Sequence, residues 1–314
     1  MKPAIIALLA SLGCVNAPAK AGDDNEWQPV VLPHAEQHDV HSRHTGRAYR
    51  IFISRPRHEP PPDGYPVLYV LDGNALFPGL AIQAQALEDR PDPSLRNSVL
   101  VVGIGYPGDK LYDFKARAED YTPEAEDRQR LPGRESPPSG GAERFLSFIE
   151  TELKPMIAER YPVNLGRQTL FGHSYGGLFT LYTLLNRPQA FQRYVAASPS
   201  IWWYQGYVER AVERLEQQTQ PLNAHLLVTA GGAEQPAPGD SLSDPRQRHM
   251  AERRMVGNAQ DFVSRLQSLT TRGLHSEFRL FPGANHGTNA THSSVAALEA
   301  AAALGRSPER GKGD

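Results

Sequence analysis

Residues 168–177, with the sequence QTLFGHSYGG, carry the strongest structural signal in the chain. The first five have the character of a short strand, and an apolar helical pattern follows over 175–186. Between them stands a Gly-x-Ser-x-Gly motif centred on Ser174. Between a strand and a helix, this motif forms a strained turn that points the serine Oγ out of the sheet. The motif therefore predicts Ser174 as a nucleophile at the carboxyl end of a strand.

Strands and helices alternate on both sides of this motif. Short apolar or β-branched runs predict strands over 27–33, 47–54, 66–71, 98–104, 191–198, 225–230 and 275–281. Helical patterns cover 76–87, 142–160, 207–218, 248–272 and 292–304, and the charged, Pro- and Gly-rich segment 105–141 predicts a loop. This alternation predicts a single α/β-hydrolase domain with a mostly parallel central sheet and helices on both faces.

A serine hydroxyl is a poor nucleophile without a base. In hydrolases with this turn, the acid and then the histidine follow the serine in the sequence. His286 fits the base, because it lies in a Gly- and Asn-containing loop after the last predicted strand. Glu234 follows strand 225–230 directly and is the best-placed acid. Asp240 and Asp244 in the same loop stay open as alternatives, as does a Ser–His dyad without an acid.

An oxyanion hole needs two backbone donors. The N–H of Tyr175 follows the nucleophile, and the second donor is expected from the loop after strand 66–71. That loop offers Gly73 or Asn74, and the sequence does not choose between them.

Composition excludes several classes of protein. The 33 basic and 35 acidic residues give a net charge of −2, which argues against a nucleic-acid binder held by bulk phosphate attraction. The chain has one cysteine, Cys14, so it cannot form an internal disulfide or a cysteine-rich metal site. The spacing of His34, His38, His41 and His44 fits no strong zinc template, so we expect no metal there and interpret them as a solvated loop.

The N-terminus has the pattern of a secretory signal. A short apolar run over 4–12 is followed by small residues ending at Ala21, so we expect cleavage there and a mature esterase domain over 22–314. An alternative is a lipoprotein signal that uses Cys14 as the lipid-bearing residue. Ser11 disfavours it, because such signals prefer a large aliphatic residue at that place.

Five short strings carry a family resemblance: LDGN at 71–74, RAEDYTP at 117–123, GG at 140–141, GHSYGGL at 172–178 and ASPS at 197–200. Together they resemble the siderophore esterases of the esterase D-like α/β-hydrolases and, with the predicted export, the periplasmic enterobactin trilactone esterases. The resemblance implies hydrolysis of the serine trilactone of ferric catecholate siderophores, without a cofactor. It also suggests an outer-membrane receptor or periplasmic uptake proteins as partners. Some periplasmic members use a dyad, and Glu234 brings this chain closer to a full triad.

The expected substrate is anionic and aromatic. Arg117 matches the family string and is the expected substrate contact. Trp202 and Trp203 follow strand 191–198, where indoles can pack on catechol rings, although we expect one of the two in the core. Other basic residues of segment 105–141 can attract an anion locally: Lys115, Arg128, Arg130 and Arg134. For the three arginines of this set, a solvated surface position is the favoured interpretation. A second basic stretch predicts an exposed helix face or an interaction surface: Arg246, Arg248, Arg253 and Arg254.

Two other functions fit the same residues. One is an exported serine esterase or acyltransferase for a feruloyl, acetyl-sugar or thioester substrate. The other is a non-catalytic protein that binds ferric siderophore, which the intact set of serine, histidine and carboxylate disfavours. The sequence gives no indication of the oligomeric state.

Overall fold

A computed structural model describes residues 27–91, 97–124, 138–204, 207–237 and 239–303. The expected signal peptide, 1–21, lies outside these ranges. Residues 27–31 belong to a separate N-terminal unit and contain no helix or strand, whereas the chain from Leu32 onward forms one compact unit. None of the helices in the described ranges is long and apolar enough to cross a membrane.

The described part of the chain forms one eight-stranded sheet with the strand order β1-β2-β4-β3-β5-β6-β7-β8. Strands β1 and β2 pair antiparallel, as do β2 and β4, and all other pairs are parallel. The predicted mostly parallel sheet is confirmed. The strands are β1 Ala35–His41, β2 Ala48–Ser54, β3 Tyr65–Leu71, β4 Leu100–Gly105, β5 Val163–His173, β6 Arg193–Ala197, β7 Ala224–Gly231 and β8 Leu274–Phe281.

Helices cover both faces of the sheet. They are α1 Gly73–Glu88, α2 Phe114–Tyr121, α3 Ala142–Phe148, α4 Lys154–Arg160, α5 Tyr175–Asn186, α6 Tyr207–Glu216, α7 Pro245–Arg253, α8 Met255–Leu266 and α9 His286–Ala302. A π-helical turn, Ile149–Leu153, joins α3 to α4, so the predicted helix over 142–160 is continuous.

The continuous apolar run of β3 explains its central place in the sheet. Side chains alternate between the two faces of a strand. Leu68 and Val70 therefore enter the core beneath α1 and α9, while Tyr69 enters the core on the opposite face. The fully buried side chains of Leu68 and Val70 each contribute about 1.5–3 kcal/mol. Because both faces of β3 are buried, Asp72, the one residue between β3 and α1, is held firmly where the strand ends.

Four elements differ from the sequence predictions. The predicted strand 27–33 is wrong, because the first strand is β1, whose polar residues form an exposed edge. The predicted loop 105–141 contains α2, which is capped by Asp113 through its side chain and the Ala116 N–H at 2.9 Å. The predicted helix 248–272 is broken at Arg254, which has a left-handed backbone with φ 44°. The last helix begins at His286 rather than at residue 292, because the Asn285 side chain caps it there.

Five neighbouring strands bring their carboxyl ends to one edge of the sheet. Strands β3, β5, β6, β7 and β8 run parallel and are adjacent in this order. They are followed by Asp72, Ser174, Ser198, Glu234 and His286, each within a few residues of its strand end. The topology therefore gathers polar residues that are far apart in the sequence, as expected at such an edge. We refer to it as the catalytic edge.

Candidate active site

Ser174 occupies a strained turn between β5 and α5. Its backbone has φ 60° and ψ −114°, a region that residues other than glycine rarely adopt. The turn is fixed from both sides, because the Ser174 N–H donates to the Ala197 carbonyl at 2.9 Å and the Leu178 N–H donates to the Ser174 carbonyl at 2.9 Å. At Gly172, a Cβ atom would stand 2.2 Å from the Gly176 carbonyl oxygen. The glycine of the motif is therefore required by the close approach of helix and strand.

His286 connects Ser174 to a carboxylate. Its Nε2 lies 3.1 Å from the Ser174 Oγ, and its Nδ1 lies 2.6 Å from an oxygen of Glu234. With Nδ1–H donating to the carboxylate, Nε2 is left as the acceptor of the serine hydroxyl proton. His286 is the first residue of α9, where the Asn285 cap fixes the start of the helix. The structure thus brings together the three residues that the sequence predicts as nucleophile, base and acid.

Glu234 is held as a buried carboxylate. Its side chain is 2% exposed, and its second oxygen accepts hydrogen bonds from the Gly231 N–H at 2.7 Å and the Ser198 hydroxyl at 2.6 Å. The Asn289 amide donates to Ser198 at 2.7 Å, which directs the Ser198 hydrogen towards Glu234. Burial opposes ionisation, yet the bonds from His286, Ser198 and Gly231 hold the pKa of Glu234 below its usual range. The site therefore provides an ionised orienting group at neutral pH.

The two alternative acids lie away from His286. Asp240 is exposed and accepts a hydrogen bond from the Ala237 N–H at 2.8 Å. Asp244 is exposed and caps α7 through the Arg246 N–H. Each of these two carboxylates accepts a hydrogen bond from a nearby backbone N–H, Asp240 within its loop and Asp244 at the start of α7, whereas Glu234 is hydrogen-bonded to His286.

Ser198 and His173 belong to the site but are not predicted by the sequence. Ser198 follows β6 directly, so the rule that locates Glu234 at a strand end would also have located Ser198. The His173 ring lies 4.5 Å from the His286 ring, centroid to centroid, and its Nε2 is 2.9 Å from the His286 carbonyl oxygen. A carbonyl only accepts, so Nε2 carries a proton there. Burial, together with the nearby His286, lowers the pKa of His173 to about 3 and keeps its ring neutral.

The candidate oxyanion donors begin two helices at the catalytic edge. Tyr175 is the first residue of α5, and Gly73 and Asn74 are the first two of α1. Backbone N–H groups in a first helical turn have no acceptor within their own helix. In α1 the Ala75 N–H is already bonded to the Asp72 carbonyl at 2.9 Å. The N–H groups of Tyr175 and of Gly73 and Asn74 are thus suited to an external anion, and both α1 candidates remain open.

The guanidinium of Arg117 is turned into the protein. It is buried, and its Nε and Nη2 donate to the two Asp72 oxygens at 2.8 and 2.9 Å. Nη2 also lies 3.4 Å from the His173 carbonyl oxygen, and the rings of Tyr121 and Tyr175 cover the cation. The expected substrate contact through Arg117 is therefore corrected. Arg117 holds Asp72, a residue with φ 53°, and with it the start of α1.

The two adjacent tryptophans have different environments. Trp203 is 6% exposed and packs against Tyr204 and Tyr207, so it is the tryptophan of the pair that lies in the core, as expected for one of the two. Its predicted role as a substrate contact is corrected. Trp202 is only partly buried, and its ring lies 6.4 Å from the Tyr175 ring. Trp202 therefore remains at the catalytic edge, beside the residue that follows the nucleophile.

The remaining basic and histidine predictions lie outside the site. Three arginines of segment 105–141 fall outside the described residues: Arg128, Arg130 and Arg134. Lys115 is exposed on α2. His38 and His41 lie on β1 rather than in the expected loop, whereas His34 and His44 lie in turns on either side of that strand. Across the described ranges, no three or more His, Cys, Asp or Glu side chains are grouped so that they could hold a metal ion.

The fold and this edge define the class of protein. An eight-stranded, mostly parallel sheet with a serine in a strained strand–helix turn is the α/β-hydrolase arrangement. The family model described as "Putative esterase" matches residues 42–294. The chain belongs to this esterase family, whose members hydrolyse ester bonds, and it is an esterase.

Several relatives are similar over most of the chain. The ferri-bacillibactin esterase BesA of Bacillus subtilis is 39% identical over 263 residues, which cover 82% of this chain and 85% of the relative. The apo-salmochelin esterase of Escherichia coli is 34% identical, with 77% and 70% covered. Among solved structures, the BES protein of Bacillus cereus superposes with a TM-score of 0.75 at 31% identity, covering 89% of this chain and 98% of that one.

Proposed function

We propose that the chain is a serine esterase that hydrolyses the trilactone ester bonds of enterobactin-type catecholate siderophores in the periplasm and so aids iron release. The observation that carries this proposal is the hydrogen-bonded series from Ser174 through His286 to the buried Glu234. The names of the relatives support the substrate class, since they act on ferri-bacillibactin and apo-salmochelin.

The first half of the reaction forms an acyl-enzyme. His286 Nε2 takes the Ser174 proton while Oγ attacks a lactone carbonyl carbon. The N–H of Tyr175 and that of Gly73 or Asn74 donate to the developing oxyanion. Removing one such donor typically costs about 10²–10³ in rate. The lactone C–O bond then breaks, and the leaving seryl hydroxyl receives the proton from His286.

The second half returns the enzyme. A water molecule gives its proton to His286 and attacks the acyl carbon, and the carboxylate product leaves as Ser174 regains its proton. The imidazolium that forms in both halves is stabilised by ionised Glu234, which is 2.6 Å from Nδ1. Each cycle therefore opens one ester bond and consumes one water.

Product analysis tests the proposed substrate. Wild type and Ser174→Ala are each incubated with ferric enterobactin, and linear products are followed by mass spectrometry. We expect ring opening by wild type alone. Parallel reactions with ferri-bacillibactin, triacetylfusarinine C, a feruloyl ester and p-nitrophenyl acetate identify the preferred class. Hydrolysis of simple or feruloyl esters without any trilactone cleavage would refute the siderophore proposal and leave a general esterase. Tight siderophore binding without turnover would instead indicate a binding protein.

The proposed location rests on the N-terminal pattern and has its own test. Expression of the full chain in a Gram-negative host should give a periplasmic product that begins at Gly22, as read by N-terminal sequencing. An uncleaved cytoplasmic product, or a lipid on Cys14, would contradict it.

A further inference from the structure

Arg253 lies at the catalytic edge beside Trp202, and within the described residues its charge has no carboxylate partner. Its guanidinium carbon lies 4.4 Å from the centre of the Trp202 ring. Its Nε is buried and has no hydrogen-bond partner within the described residues. Across those residues no carboxylate lies within 4.0 Å of it, and Asp261 pairs with the neighbouring Arg254 at 3.1 Å. Within the described residues the two Nη groups also have no hydrogen-bond partner, and unlike Nε they are not fully buried, so they are the donors that a ligand can reach.

The position of this cation is fixed relative to the nucleophile. Trp202 lies next to Tyr175, and the loop that carries Trp202 is tied to the nucleophile by the Ser200 N–H, which donates to the Ser174 carbonyl at 3.2 Å. The break at Arg254 ends α7 at this point. Arg253, the last residue of α7, lies over Trp202, while the exposed Arg254 pairs with Asp261.

Helix α8, which follows the break, is tied to the acid of the site as well. The Gly257 N–H donates to the Gln235 side chain at 3.0 Å, and Gln235 follows Glu234 in the chain. The start of α8, which follows Arg253 and the break at Arg254, is therefore anchored to the loop that carries the orienting carboxylate.

A second arginine of the site shows why Arg253 differs. Arg117 is also surrounded by aromatic rings, but both oxygens of Asp72 occupy its donors. Asp72 neutralises the charge of Arg117, whereas no carboxylate of the described residues pairs with Arg253. An arriving anion is therefore attracted to the Arg253 end of the edge.

We propose that Trp202 and Arg253 form a subsite for an anionic aromatic group of the substrate, beside the ester that Ser174 attacks. The inference rests on the proposed siderophore esterase function and assigns two residues to its substrate specificity. A partly exposed indole offers a face for a flat ring, and a guanidinium can donate to ring oxygens while it remains stacked on that indole. A catecholate ring combines both requirements, because it is flat and carries negative oxygens.

The test compares an anion with its neutral counterpart. 2,3-Dihydroxybenzoate and 2,3-dihydroxybenzamide are used as inhibitors of p-nitrophenyl acetate hydrolysis by wild type, Arg253→Gln and Arg253→Lys. For each variant, both inhibition constants are determined relative to that variant's own uninhibited rate. The ratio of the two constants is then compared between variants. In wild type the anion should inhibit at least about 10-fold better, equivalent to about 1.4 kcal/mol. Arg253→Gln should bring this ratio close to one, and Arg253→Lys should restore part of it.

Arg246→Gln provides the matched control, because it removes the same charge from an exposed position of the same helix. It should keep the wild-type ratio and the wild-type rate. Trp202→Leu should weaken both inhibitors. If Arg253→Gln keeps the wild-type ratio, or if Arg246→Gln abolishes it equally, the subsite is refuted. A subsite that behaves as expected in a protein that never opens ferric enterobactin would support the inference and refute the proposed trilactone substrate.

Discussion

Replacing Glu234 by Gln should reverse the proton arrangement of His286. One carboxylate oxygen faces the Gly231 N–H at 2.7 Å and the Ser198 hydroxyl, and the other faces His286 Nδ1 at 2.6 Å. Because a backbone N–H cannot accept, the glutamine oxygen must take the first position. Its NH₂ group then donates to Nδ1, which forces the proton of the neutral imidazole onto Nε2. That tautomer cannot accept the Ser174 proton.

The size of the effect follows from this geometry. The overall shape of the side chain is preserved, so substrate binding and KM should change little. In the template Ser–His–Asp protease, the corresponding Asp-to-Asn change holds the histidine in the wrong tautomer and lowers kcat by about 10⁴. We therefore expect kcat to fall by about 10³–10⁴, equivalent to about 4–5.5 kcal/mol of transition-state stabilisation.

The assay is steady-state hydrolysis of p-nitrophenyl acetate at pH 7, with circular dichroism as the check on folding. Asp240→Asn and Asp244→Asn serve as controls, because both carboxylates are exposed and bonded to backbone N–H groups away from the histidine. Both controls should keep the wild-type kcat. A folded Glu234→Gln variant with kcat within tenfold of wild type would refute the reasoning and support a Ser–His dyad.

Three further predictions concern the support of the site. Gly172→Ala should abolish activity and lower the melting temperature, because its Cβ would stand 2.2 Å from the Gly176 carbonyl oxygen; an active, equally stable variant would contradict the tight turn. Arg117→Met should cost about 3–5 kcal/mol in urea unfolding, because it leaves Asp72 buried without its cation; a loss below 1 kcal/mol would show that the pair is dispensable. His173 has a pKa of about 3 when folded against an ordinary 6.5, so between these values the unfolded chain binds a proton that the folded chain does not. The free energy of unfolding should therefore fall with decreasing pH by up to about 1.4 kcal/mol per unit below pH 6.5, and His173→Gln should make that slope shallower; equal slopes would contradict a buried neutral imidazole.

Local patterns made much of the site predictable. The turn around Ser174 is encoded within a few residues, because the strand, the glycines and the helix are contiguous. Glu234 and His286 could be located by topology, since each follows a parallel strand and such strands end at one edge. These inferences need only the order of strands and helices along the chain, and the spacing of apolar residues predicts that order well.

Pairing between distant segments could not be predicted. The partner of Arg117 is Asp72, 45 residues earlier in the chain, and no local pattern indicates that the two meet in the core. Trp202 and Trp203 are adjacent and chemically identical, so only the path of the turn decides which indole is buried. The position of Arg253 over Trp202 could not be predicted either, because it depends on the helix break at Arg254.

Polar regular structure was also missed for a physical reason. Strand β1 lies at the edge of the sheet, so its side chains need no apolar alternation and the sequence resembles a loop. Helix α2 is short and rich in charged residues, and its cap is its clearest local signal. In both cases, hydrogen bonding and tertiary contacts determine the structure where hydrophobic periodicity is weak.

The most direct measurement is the covalent intermediate formed during turnover of ferric enterobactin. The reaction is quenched with acid within the first turnovers, and the protein is digested and mapped by mass spectrometry. The proposed mechanism predicts the ring-opened siderophore as an ester on the peptide that contains Ser174, with neither adduct nor product from Ser174→Ala. An adduct on another residue, or continued trilactone cleavage by Ser174→Ala, would contradict it.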